Sequence, residues 1–428
     1  MWTFFSEARV RKLSVFFGIV IIAGIFLSAF VRILPSIGIA GLFLTSVGYS
    51  VAHKRIAQRA HWPVLLSFGL IYLLHAVTGV WACLFAGGSG ELLLQDLVLQ
   101  LPLLLLPLSF LLLPTWHERQ RTILWVVLIG CCLLSAVGST VNYFIHYEQI
   151  EYGYVRSQVM PTVPDYIRFS LLISMAVLAG ALLLFQKALP LGWRWLVGGA
   201  VVLLFIFQHL LAVRSGLLTM YAGGALLLGW LGWQPKHRKT LLLVVVSLAA
   251  LAATCLQLFP TLQIRIINTR YDTELLNFTD AANNHSITAR FYSYKVAWVV
   301  VGEHPLAGVS KVKLEEAVAD QYSYMYPQIQ VAHYLLPHNQ FLYNLTAYGL
   351  IGFLVFLIAF YYPLWVGLRT KNIVLLLLYI VVSISFLVEY TLETQIGLLT
   401  GIFFILLALI PTAPGHPASG RLGSRNRP

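Results

Sequence analysis

Charge is what this sequence has least of. Only 10% of its 428 residues are Asp, Glu, Lys or Arg, whereas 59% are hydrophobic. A soluble chain of this length needs a charged surface, and the residues to build one are missing. The class is therefore a polytopic α-helical membrane protein. Acids are scarcer than bases, 16 against 28, which leaves a formal net charge of +12. That excess does not point to nucleic acid. The bases sit in short loops between apolar runs, as membrane topology requires, and no nucleic-acid motif is present. The four cysteines, Cys83, Cys131, Cys132 and Cys255, lie inside apolar segments without CxxC spacing and read as packing residues. Motifs of nucleotide and metal chemistry are lacking too. There is no Walker loop, no HExxH and no GxSxG, and "DTE" at Asp272 to Glu274 is a weak substitute for a DxD pair. ATP use, zinc hydrolysis and serine hydrolysis have no support, and no cofactor or metal is expected.

What the chain has is spans. A bilayer crossing takes about 20 mostly apolar residues. Twelve segments qualify: 13–31, 37–52, 63–87, 93–113, 123–142, 166–186, 195–213, 217–233, 241–259, 339–367, 373–391 and 395–411, of which the second and last are short. The first follows Arg9, Arg11 and Lys12 without a small-x-small cleavage site, so it reads as an uncleaved span. With the N-terminus cytoplasmic, eighteen of the 28 bases fall inside. Six of the remaining ten lie in one long loop, which translocates regardless of charge. Both termini are then inside and the long loop outside. The chain divides into nine spans over 1–259, the loop at 260–338, three spans over 339–411 and a disordered Pro/Gly/Ser/Arg-rich tail at 412–428. Within the loop, "HSITARFYSYKVAWVVVGEHPLAGV" has a helical pattern that Pro305 and Gly308 should end, and 311–320 reads as a second short helix. No internal repeat of the transporter kind is visible.

The candidates for chemistry cluster on the outer face. Arg214, in "AVRSGLL", opens a helix almost without a loop before it. Free N–H groups and a guanidinium fork together make an anion site, although an interfacial Arg can simply snorkel. Arg265 and Arg270, in "QIRIINTR", follow a span; Arg265, nearer the membrane, is the better second phosphate ligand. His338 and Asn339 open the helix "HNQFLYNLTAYGLIGFLVFLIAF" behind Pro337. The imidazole is either a helix cap or a general base. Glu389, in "FLVEYTLET", could orient a histidine or pair with an arginine. Tyr324, in the run "QYSYMYPQ", could stack on a sugar, although such tyrosines more often belong to an interfacial belt. Cations plus a base suit displacement of an anionic leaving group without a metal.

Three stretches in order, "RSGLLTMYAGGALLLGWLGW", "ITARFYSYKVAWVVVGEHPLAGVS" and "HNQFLYNLTAYGLIGFLVFL", resemble the landmarks of the O-antigen ligase and polymerase superfamily over about residues 195–370. There an Arg-Ser/Gly turn opens a span, an "R…W…hPl.GvG" stretch crosses the periplasmic loop, and "HN…L…yGliG" starts the next span. Two positions depart from that pattern: "GvG" reads Gly308-Val309-Ser310, and the acid often found before "yGliG" is Ala347. The resemblance implies a GT-C-like architecture in the bacterial inner membrane. The implied donor is a polysaccharide on undecaprenyl diphosphate, bound by Arg214 and Arg265, with His338 as base for inverting transfer. The acceptor would be the lipid A–core oligosaccharide in a ligase, or another repeat-unit lipid in a polymerase. A protein O-oligosaccharyltransferase shares the same motifs. A transporter, the reading from another class, should carry charged or broken features at mid-membrane; here the candidates gather at one face.

Overall fold

The computed structural model describes residues 5–233 and 238–410. The tail at 412–428 and Lys236 lie outside them. Among the described residues there is no strand. Seventeen α-helices follow in chain order: α1 (Glu7–Leu27), α2 (Leu34–His53), α3 (Trp62–Phe85), α4 (Gly90–Gln100), α5 (Pro102–Leu112), α6 (Glu118–Ile145), α7 (Tyr147–Val155), α8 (Tyr166–Phe185) and α9 (Leu191–Leu211) make up the first half. The second half is α10 (Arg214–Gly232), α11 (Arg238–Leu258), α12 (Pro260–Glu274), α13 (Ser286–Glu303), α14 (Lys311–Met325), α15 (Gln340–Arg369), α16 (Ile373–Phe386) and α17 (Gln395–Leu409).

Among the described residues, nine helical segments are long and apolar enough to cross a bilayer, and ten if the bent pair α11–α12 counts as one. The chain is a multi-pass membrane protein, as its composition requires. Twelve full crossings do not all appear. Helices α16 and α17 have 14 and 15 residues, short of the roughly 20 a crossing needs. The run 373–391 stops early because the chain leaves helix at Phe386 and turns through Thr391–Glu393. Apolar runs report composition and not this local unwinding. Likewise 93–113 is two helices, α4 and α5, meeting at Leu101 and Pro102. Helix α8 is the central post, 72% buried over its apolar window, and packs against α6, α9, α10 and α16.

The stretch 260–338 folds onto one end of this bundle. Pro260 restarts the helix after α11, and α12 leaves at 81°. Helix α13 ends at Glu303 just before Pro305, as its sequence predicts. Asp272 on α12 accepts from His285 Nδ1 at 2.8 Å, and Thr288 on α13 donates to the Asp272 carbonyl, so α12 and α13 are tied at their adjoining ends.

Helix α15 is broken at Gly349 (φ 62°, ψ −173°), a conformation essentially restricted to glycine. The break frees the carbonyls of Thr346 and Ala347 and the amides of Leu350 and Ile351. All four are paired by one segment of the loop. Val309 and Ser310 donate to Thr346 O and Ala347 O at 3.2 and 2.7 Å, while Pro305 O and Leu306 O accept from Leu350 and Ile351 at 2.8 and 3.2 Å. Buried backbone groups need partners, and an apolar environment offers no water to supply them. The "HPLAGVS" segment is therefore the complement of the kink in "YGLIG". Gly308 (φ 67°) and Gly349 each press backbone against the other segment, with no space for a Cβ.

Candidate functional site

The site lies at the end of the bundle covered by α12–α14. Arg214 is the first residue of α10. The bend at Pro260 points α12 across that end, which brings Arg265 alongside. Helix α13, tied to α12 through Asp272, adds Arg290. These three arginines line one cavity of 440 Å³, with Tyr166, Ser286 and Tyr294 among its other walls. Arg265 donates to Ser157 O at 3.1 Å and lies over the Tyr154 ring at 5.9 Å. Its Nε is buried without a partner, as are Nε and Nη2 of Arg214. Unpaired buried donors are costly. Here they line an open space, a chemistry suited to an anion with several oxygens.

His338 precedes α15. Its Nδ1 is 3.2 Å from Glu389 Oε1, which leaves Nε2 as the nitrogen able to accept a proton. Arg168, at the start of α8, bridges the same carboxylate at 3.9 Å and Asp165 at 3.2 Å. Burial by itself would raise the Glu389 carboxyl. The hydrogen bond from His338 and the charges of His338, Arg168 and Arg290 outweigh it and hold the group below the usual carboxylate range. The imidazole does not line the arginine cavity; it sits one layer away. Tyr294, a cavity wall, donates to the His338 carbonyl at 2.8 Å. Val388, another wall, adjoins Glu389. Burial raises the Tyr294 hydroxyl, which keeps it a donor at neutral pH.

The other sequence candidates are placed differently. Asn339 is the N-cap of α15: its Oδ1 accepts from Phe341 N and Leu342 N at 3.0 Å each, and its amide donates to Leu387 O. Arg270 is 86% exposed and pairs with Glu274 one helical turn on. Tyr324 is also 86% exposed, on α14. Neither reaches the cavity. Two residues that the sequence reading left without a role do belong to the constellation. Arg290 is the arginine in "ITARFYSYK", and Arg168 follows a helix-capping Asp165. For Arg290 the only signal was its place at the head of the loop motif.

A second polar cluster lies between the spans and the loop. His75 Nδ1 is 2.8 Å from Asp96 Oδ2, and Tyr348 shares the imidazole. His75, Asp96 and Glu393 have ligand atoms within 4.8 Å of one another, close enough for a metal. Lys311 occupies that role instead, its Nζ 2.5 Å from both Asp96 and Glu393. Gln340 then ties Glu393 to α15, 3.1 Å from the carboxylate.

Fold and site together define a multi-pass membrane protein with a cationic cavity and a histidine–carboxylate pair at one end of its bundle. Residues 199–357 match the family model described as O-antigen ligase. The matched segment is similar to that family and carries Arg214, Arg265, Arg290, His338 and both kink glycines. No curated protein matches the chain.

Proposed function

We propose that this protein is an O-antigen ligase of the bacterial inner membrane. It moves a polysaccharide from undecaprenyl diphosphate to a sugar hydroxyl of the lipid A–core oligosaccharide at the periplasmic face. The observation that carries this reading is the cavity of three arginines beside the His338–Glu389 pair. The arginines hold the diphosphate and absorb its charge as it leaves. His338 takes the proton of the attacking hydroxyl at Nε2. The hydroxyl oxygen bonds to the anomeric carbon from the face opposite the diphosphate, and the carbon–oxygen bond to phosphate breaks, which inverts that centre. Glu389 holds the imidazole by Nδ1 and stabilises it once protonated, as a carboxylate does in other general-base pairs. Asn339 fixes the helix start from which His338 projects. Because donor and acceptor are both lipids, their reactive groups meet at one depth, and the membrane pre-orients the encounter. Cleavage of the phosphate linkage supplies the driving force.

The test is a panel of His338→Ala, Arg214→Ala, Arg265→Ala and Arg290→Ala in a strain lacking the gene, with lipopolysaccharide separated on gels. Loss of long-chain bands, with core retained and polymer accumulating on the lipid carrier, supports ligation. Core bearing a single repeat unit reassigns the chain as a polymerase. Loss of glycan from a protein, with lipopolysaccharide intact, reassigns it as a protein O-oligosaccharyltransferase. Normal banding in all four variants refutes the site.

A further inference from the structure

The arginine cavity accounts for one lipid substrate, and the imidazole has a second side. Leu336, two residues before His338, lines another pocket of 210 Å³ between α4 and α14. Tyr343 lines it too. The Tyr343 ring lies 5.5 Å from Tyr390, and Tyr390 lies 5.0 Å from His338. His338 thus meets a wall of the first pocket at Tyr294 and is joined to the second through the Tyr390 and Tyr343 rings, and the two pockets differ in chemistry. One carries three guanidinium groups. The other carries Asp96, Glu315, Gln95 and Lys311. Two carboxylates beside one ammonium, itself neutralised by Asp96 and Glu393, repel a diphosphate. An amide, carboxylates and an ammonium that together accept and donate hydrogen bonds are what a ring of sugar hydroxyls needs.

The second pocket also continues into an apolar groove. Gln95 and Leu99 belong to both. The groove, 550 Å³, runs past Ile39, Ala40, Val98 and Leu105 between α2 and α4–α5. A polar pocket at the end of the bundle that opens into an apolar channel along the spans fits one kind of molecule: a saccharide carried on acyl chains.

We propose that the pocket between α4 and α14, with the groove beneath it, is the acceptor site, taking a membrane-anchored saccharide with a free hydroxyl. This inference rests on the transferase reading above. Donor and acceptor then approach His338 from opposite sides, with the acidic pocket excluding the donor's diphosphate and the arginine cavity retaining it.

The experiment uses the full chain in nanodiscs, with undecaprenyl diphosphate glycan as donor and lipid A–core oligosaccharide as acceptor. Gln95→Trp fills the pocket. It should raise the acceptor KM about tenfold and leave the donor KM within about twofold, whereas Arg265→Ala should do the reverse. Glu315→Ala, at an exposed position, is the milder second variant and should move the acceptor KM in the same direction. Unchanged acceptor KM in both variants, or a raised donor KM, overturns the proposal. A photo-crosslinking amino acid at position 95 gives a readout that does not depend on turnover. Capture of lipid A–core supports the acceptor site. Capture of the donor, or of bulk phospholipid alone, overturns it. Capture of lipid A–core at position 95, when the unsubstituted chain transfers nothing, would sink the ligase reading and leave the site standing.

Discussion

Single residues carry the sharpest consequences. Ser310 occupies the last position of the "GvG" pattern and adopts φ 64°, ψ 150°, a backbone region that only glycine enters without strain. Its hydroxyl is buried with no partner. Ser310→Gly removes both penalties and should raise stability by about 1–3 kcal/mol, seen as a higher Tm in detergent; a lowered Tm would show that the serine has a contact worth more than its strain. In the proposed reaction Glu389 works through His338. Glu389→Gln keeps the shape and removes the charge, and should lower kcat about 10²-fold with the donor KM little changed, general-base assistance being worth roughly 10²–10⁴. The same carboxyl links stability to acid. Its native pKa lies below that of the unfolded chain. Its contribution is thus complete above the unfolded carboxylate value of about 4.3 and is lost as pH falls through the native value. Tm measured from about pH 6 down to about pH 3 should fall less steeply in Glu389→Gln than in the wild type. Parallel curves would mean that the carboxylate is not held by its cationic neighbours.

At the scale of elements, the joint between α15 and the 305–310 segment holds the loop onto the bundle. Four backbone hydrogen bonds replace those that the Gly349 break removes. Gly349→Ala places a Cβ against the Leu306 backbone in a φ/ψ region that costs about 1–3 kcal/mol without glycine. The expected result is a loss of at least about 3 kcal/mol once the clash is added, read as poor folding yield or increased protease sensitivity of the loop. Leu345→Ala, in the same helix but half-buried away from the joint, serves as the milder comparison. The joint also explains two motif positions. Gly308 is needed for close approach, and Ala347 is fully buried with its carbonyl taken by Ser310. The acid absent at Ala347 has a counterpart in Glu389, which reaches His338 from the segment after α16.

At the scale of the whole molecule, the arrangement is a bundle whose α12–α14 end concentrates positive charge over a cavity. A diphosphate bound there, as proposed, would stabilise the folded chain by mass action, by about 2.7 kcal/mol at a hundred times Kd. Undecaprenyl diphosphate should therefore raise Tm in nanodiscs. The rise should shrink in Arg214→Gln, Arg265→Gln and Arg290→Gln, each loss of a charge-assisted hydrogen bond costing about 1.5–3 kcal/mol of binding. A Tm rise equal in all three variants would place the anion elsewhere.

The amino-acid order alone determined the membrane class, most of the spans and two helices of the loop, and it singled out Arg214, Arg265, His338 and Glu389 as candidates. Each of these depends on local composition or on a residue pinned at a helix start: twenty apolar residues report a span, and Pro337 with Asn339 reports where α15 begins. Only the tertiary structure decided which polar groups meet. His338 and Glu389 are 51 residues apart in sequence, and Arg214, Arg265 and Arg290 converge because α12 bends at Pro260 and α13 is tied to it through Asp272. Arg270 and Arg265 look alike in sequence, yet one faces solvent and the other the cavity, because five residues along a helix turn them to different faces. Position on a helix is a local property, whereas the face turned toward a cavity depends on what the rest of the chain packs against.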